Sequence, residues 1–208
     1  MEDGEKDKFS ILEPSNPLLK KVTAEIIDYK SIAFKNALLQ MQKIAGVIQD
    51  PTPGTKTMVG LAAPQIGWNA RVILVDIDAD PKAVNPTPNN IFMINPVITW
   101  ASSNQAEDRE GCFSLPGYGG VVKRSEAVEV RWHNEYGEVV INKFSGFVAR
   151  IVQHEVDHLN GIRWFQRVFN PKHLHKVPDE EFQRYRDEWS RWDMPADSSQ
   201  INLLINDT

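Results

Sequence analysis

Cysteine is almost absent: Cys112 is the single one in 208 residues, so no internal disulfide can staple the fold and stability has to come from a buried core. Long apolar runs are missing as well. None approaches the ~20 residues needed to cross a bilayer, and no membrane partner is expected. Positive charge is in deficit, with 23 Lys and Arg against 28 Asp and Glu and a formal net charge of -5, which weighs against a broad phosphate-binding surface. No direct nucleic-acid binding is therefore expected. The opening stretch Met1–Lys8 is acidic and mixed in charge, unlike a secretory signal or an Arg-rich transit peptide, so the expected location is the cytoplasm. What is present, 41% hydrophobic and 25% charged residues, is the composition of a soluble globular protein of one domain with an appended element.

Residues 11–23 hold two prolines and read as an extended arm. Phe34, Leu38, Met41, Ala45 and Ile48 then recur at steps of four and three and predict an amphipathic helix. Asp50–Thr55, with two prolines and a glycine, predicts a mobile loop. Val72–Ile77, Ile91–Ile94 and the alternating Ala127–Trp132 predict strands, the last turning through Asn134–Gly137 into Val139–Ile141. Pro81–Asn90 reads as a loop. A second long helix is predicted from an N-cap at Ser145 to a stop at Asn160-Gly161, with Val148, Ile151, Val152, Val156 and Leu159 as its apolar positions. A last helix is predicted from Pro178, with Phe182, Tyr185, Trp189 and Trp192 as a packing stripe and a frayed tail after Met194.

The chemistry is concentrated in His154-Glu155-Val156-Asp157-His158. On a helix, positions four apart face one way, so the two imidazoles can hold one divalent metal while Glu155 takes a proton from water on that metal. Two imidazoles leave a tetrahedral ion short of a third protein ligand. The lone thiol of Cys112 is open to three readings, as core filler, nucleophile or metal ligand.

Three segments decide among these. Gly60-Leu61-Ala62-Ala63-Pro64-Gln65, Glu110-Gly111-Cys112-Phe113-Ser114 and Gln153-His154-Glu155-Val156-Asp157-His158-Leu159 occur in the order and spacing of the three motifs of peptide deformylases, which the chain resembles from about Ile11 to Phe165. The resemblance implies an α+β fold, with antiparallel or mixed β-sheets packed around a central H-E-x-x-H helix, an N-terminal helix and an appended C-terminal helix. Residues 1–170 would form the catalytic domain and 171–208 the extension. It implies Cys112, His154 and His158 as metal ligands, natively of Fe2+, with Zn2+, Ni2+ or Co2+ also suited to thiolate and imidazole. Glu155 would be general base and acid in the attack of metal-bound hydroxide on the formyl group of an initiator methionine. The Gln65 amide and the Phe113 backbone N–H would stabilise the oxyanion. The substrate, an N-formyl-Met nascent peptide, would add as a strand near Gly60, with Leu115, Ile151 and Val152 lining the methionine pocket. Glu110 and Arg124 read as an ion pair orienting the Cys112 segment, with Asp157 in the same network. His133, His173 and His175 have no motif context and read as ordinary polar residues.

The chain departs from the family pattern at Met58, where a glycine is usual, at Phe113 in place of leucine, and at Gly119, where many members carry arginine. Residues 178–194 hold six acids against three arginines, the wrong sign for gripping RNA phosphates. Transient ribosome proximity is then the only partner expectation beyond the peptide. Two other readings compete: a zinc endopeptidase built on the same pentapeptide, and a catalytically weak binding protein.

Overall fold

The computed structural model describes residues 9–47, 57–83 and 87–206. Among the described residues, four α-helices and eight strands make an α+β fold with two antiparallel sheets. The larger sheet runs β1 (Gly60–Ala62), β2 (Val72–Asp76), β3 (Asn90–Ala101), β6 (Ala127–His133), β7 (Val139–Ser145), in that order. The smaller runs β4 (Gln105–Cys112), β5 (Leu115–Ser125), β8 (Leu174–Lys176).

Strand β2 shows how the large sheet is held, since all five of its residues are buried. Side chains alternate across a strand, so Ile73 and Val75 reach one core and Val72 and Leu74 the other. The first core belongs to α2 (Gly146–Leu159), whose Ala149, Val152, Val156 and Leu159 pack on Met93, Val128, Val130 and Trp132. The second belongs to α1 (Ile32–Ile44), with Phe34, Leu38, Met41 and the following Ala45 against Leu61, Phe92 and Ile94. Helix α1 thus follows its predicted stripe; Ile48 and the Asp50–Thr55 loop lie outside the described residues.

Helix α2 begins after Ser145 as the sequence predicts, although that side chain makes no capping bond. It ends at Asn160 because Gly161 takes φ +70° and a Cβ there would lie 2.6 Å from the Lys20 carbonyl oxygen. That contact comes from the arm, which is not simply extended: Pro17–Lys20 form a 3-10 turn, and Thr23 donates its N–H to the Leu159 carbonyl. Strand β3 runs on past the predicted Ile94 through a bulge at Asn95-Pro96.

The end of the chain differs most from its prediction. The tail expected to fray forms α4 (Ser198–Asn206), and Ile201 is buried with Leu115, Val122, Trp164, Leu174 and Ala196 in a third core. Residues 178–192 make only a two-turn helix, α3 (Phe182–Glu188), between 3-10 turns. Of the aromatic stripe, Tyr185 alone is fully buried; Trp192 packs edge-on against it and Phe182 faces solvent. Among the described residues no helix is long and apolar enough to cross a membrane.

Candidate metal centre

Helix α2 sets His154 and His158 one turn apart, with ring centroids 5.0 Å from each other. Cys112 arrives from the end of β4, where the ladder with β5 slips. Gly111 still faces Gly119, but Cys112 faces Leu115 across a tight turn at Phe113-Ser114. This brings Sγ to 3.3 Å from His158 Nε2, and the donor atoms of Cys112, His154 and His158 all lie within 4.8 Å of one another. Bonds of about 2.0 to 2.3 Å at tetrahedral angles separate donor atoms by about 3.5 Å, so the three residues fit one divalent ion. One thiolate and two imidazoles suit iron, zinc, nickel or cobalt rather than magnesium or calcium.

The surrounding charges prepare these ligands. Glu110 is buried and accepts two bonds from Arg124 at 2.9 Å and one from Arg150 at 2.8 Å, while its Oε2 sits 2.9 Å from His154 Nδ1. Burial alone would raise its pKa, but Arg124 and His154 outweigh burial and hold the carboxyl far below the usual range. Ionised Glu110 therefore accepts a hydrogen bond from His154 Nδ1–H and leaves Nε2 as the atom to face a metal. Arg124 also bonds Asp157, which accepts from Arg167 at 2.6 Å. Against burial, His158 and His154 hold the Cys112 thiol well below its ordinary value, so the sulfur is ready to ligate.

Glu155 sits differently. It is buried, its Oε2 has no hydrogen-bond partner, and burial, opposed by the two histidines, pushes its pKa up to about 7. Gly60 makes this possible, because a Cβ there would come within 2.5 Å of Glu155 Oε1. The bare backbone at Gly60 therefore makes room for the carboxylate. Gln65 lies in a 3-10 turn (Ala63–Ile66), and its Oε1 accepts the Ala62 N–H at 2.7 Å. That bond turns Nε2 toward Cys112 Sγ and Ser114 Oγ, both at 3.1 Å.

A family model described as Polypeptide deformylase matches residues 8–173. The chain belongs to the polypeptide deformylase family. The peptide deformylase of Thermomicrobium roseum is 43% identical over 152 residues, 73% of this chain and 85% of that protein. Peptide deformylase 2 of Gloeobacter violaceus is 43% identical over 112 residues, 54% of this chain, and the match spans only 58% of that relative's length. Among solved structures, the class I type b peptide deformylase from Acinetobacter baumannii with Met-Ala-Ser bound superposes with a TM-score of 0.66 at 34% identity, over 76% of this chain and 97% of that one. The enzyme from Thermotoga maritima gives 0.66 at 27% identity, over 78% and 98%.

With the deformylase family established, its motif residues can be located one by one. Cys112, His154, His158, Glu155 and Gln65 converge; Phe113 stands beside them with its side chain 58% exposed. Leu115, Ile151 and Val152 are all buried, Ile151 and Val152 within the core between α2 and the large sheet. His175, read as an ordinary polar residue, is buried and shares a 3.0 Å bond with the Tyr185 hydroxyl. Gly119 has a structural reason. A Cβ there would meet the Tyr185 ring at 2.7 Å, so the extension fills the space of the missing side chain.

The sequence reading missed Arg150, Arg167 and Ser114. For Arg150 a signal existed: Arg150, Gln153, His154 and Asp157 form a polar stripe at helical spacing, all but Gln153 buried. A cleft of about 460 Å³ lies on the Asp157 side of α2, lined among others by Arg71, Lys123, Gln153 and Arg167; none of the three ligands lines it.

Proposed function

We propose that this chain is a metal-dependent peptide deformylase, hydrolysing the N-formyl group from the initiator methionine of newly made polypeptides in the cytoplasm and releasing formate. One observation carries the reading: a thiol and two imidazoles lie within 4.8 Å of one another, with a buried, unpartnered carboxylate oxygen on the same helix. A divalent ion held by Cys112, His154 and His158, Fe2+ in the native protein, acidifies water and polarises a carbonyl when bound.

The protein's own groups do the rest. Glu155, a buried carboxylate on the same helix as the two imidazoles, takes the proton of the attacking water and delivers it to the leaving amine. The Gln65 Nε2–H and the Phe113 backbone N–H donate to the formyl oxygen as it gains negative charge. Gln65 is pre-aimed for this by its bond to Ala62, so little reorganisation is needed. Strand β1, at the outer edge of the large sheet, offers the backbone groups to which a peptide adds as a further strand. The partners are N-formyl-Met nascent peptides, met in transient proximity to the ribosome.

The test is an assay of anaerobically purified, metal-analysed protein on a formyl-Met peptide, its unformylated counterpart and a peptide with only internal amides. Formate release from the first alone supports the reading. Cleavage of internal amides would replace it with an endopeptidase, and metal-loaded protein inert on every formylated peptide would leave a binding protein.

A further inference from the structure

The polar stripe of α2 faces the β4–β5 hairpin along its length. Gln153 Nε2 donates to the Ser125 carbonyl at 2.9 Å and Gln153 Oε1 accepts the Ser125 N–H at 3.2 Å. His154 meets Glu110, and Asp157 meets Arg124. Arg150 makes the broadest contact. Its Nη1 donates to Glu110 Oε1 at 2.8 Å, to the Val122 carbonyl at 2.9 Å and to the Asp108 carbonyl at 3.5 Å, and its Nη2 donates to the Ala106 carbonyl at 2.7 Å.

Those partners are regularly placed. Ala106, Asp108 and Glu110 are alternate residues of the strand that ends on Cys112, and Val122 lies opposite Asp108 on β5. On the helix, Arg150 stands one turn before His154. The two side chains bind the two oxygens of a single carboxylate, Arg150 on Oε1 and His154 on Oε2 of Glu110. One guanidinium thus ties the strand that carries the sulfur to the helix that carries both imidazoles, and it is itself only 6% exposed.

We infer that Arg150 is a positioning residue of the metal centre: it fixes the register of the Cys112 strand against helix α2 and so the spacing of the three ligands. It touches no ligand donor atom. The inference rests on the reading of Cys112, His154 and His158 as metal ligands. A lysine cannot take over the role, because one ammonium concentrates its donors at a point whereas the guanidinium spreads them over a plane.

The experiment measures metal affinity by chelator competition, together with unfolding of the metal-free form, for wild type, Arg150→Lys, Arg150→Gln and Leu38→Ala. Leu38 is buried in the α1 core, remote from the stripe, and its truncation controls for lost stability. Both Arg150 variants should lose about 10- to 100-fold in metal affinity, as removal of partners behind metal ligands does, whereas Leu38→Ala should unfold more easily at unchanged affinity. Affinity within twofold of wild type in either Arg150 variant would overturn the inference. So would unfolding of both variants at saturating metal, which would make the stripe a requirement of the fold rather than of ligand spacing. A wild-type protein that holds no metal would overturn the metal-centre reading itself, a different result from equal affinities.

Discussion

Replacing Glu155 by glutamine should abolish turnover and stabilise the metal-free protein at the same time, and the second effect can be sized from the structure. Burial, partly offset by His154 and His158, raises the carboxyl from an ordinary value of 4.5 to about 7. Between those pH values the folded chain keeps a proton that the unfolded chain has released. The folded state therefore binds more protons across that window, and stability falls as pH rises through it. A shift of this size corresponds to about 3 kcal/mol, absent near pH 4 and fully felt above pH 7. Glutamine has the same shape and no proton to lose, so metal-free Glu155→Gln should match wild type near pH 4 and exceed it by about 3 kcal/mol at pH 8. Urea unfolding of both proteins across this range reads the difference, roughly 1 M or more in midpoint at ordinary urea sensitivities. A pH-independent difference would refute the argument that Glu155 is a carboxylate held against its own solvation. Retained turnover would remove it from the chemistry.

Gln65→Leu should keep the metal and lose on the order of 3 kcal/mol of transition-state stabilisation, seen as a fall of about 100-fold or more in kcat by steady-state assay with metal analysis. Gly119→Ala should destabilise by about 1 to 3 kcal/mol, because the new methyl meets the Tyr185 ring; pairing it with Tyr185→Ala should give less than the sum of the two losses in a denaturation cycle. Ile201→Ala should cost about 2 to 5 kcal/mol by the same measurement, and a loss below 0.5 kcal/mol would mean that α4 does not pack as described.

Apolar periodicity made α1, α2, β2 and β6 legible, because each buries a continuous face and the pattern survives in the residues themselves. The motif residues were legible for another reason, since their chemistry tolerates few alternatives. Strands β4 and β5 were not legible. Strand β4 reads Gln-Ala-Glu-Asp-Arg-Glu-Gly-Cys, and its buried position, Glu110, is a charge whose arginine partners come from β5 and α2. Strand β5 holds a proline and three glycines, which argue against a strand in isolation. Two of those glycines are bare because distant segments fill the space: Tyr185 at Gly119, and Trp164 with the His173 carbonyl at Gly120. No local pattern records a partner 66 residues away in the chain. Arg150 is a different case: the polar stripe it shares with Gln153, His154 and Asp157 stands at helical spacing in the sequence, but its hydrophilic character hides that it is buried.

The pairing of Gly119 with Tyr185 joins two distant positions into one fitting. A side chain at 119 forces the Tyr185 ring to shift, and with it the bond to His175 that ties α3 to β8. Docking of α3 in this position thus needs a bare backbone at 119, and without Tyr185 the same glycine would leave an open notch beside the Cys112 hairpin. Socket and plug act as one feature: a change at either residue alone is felt at the other.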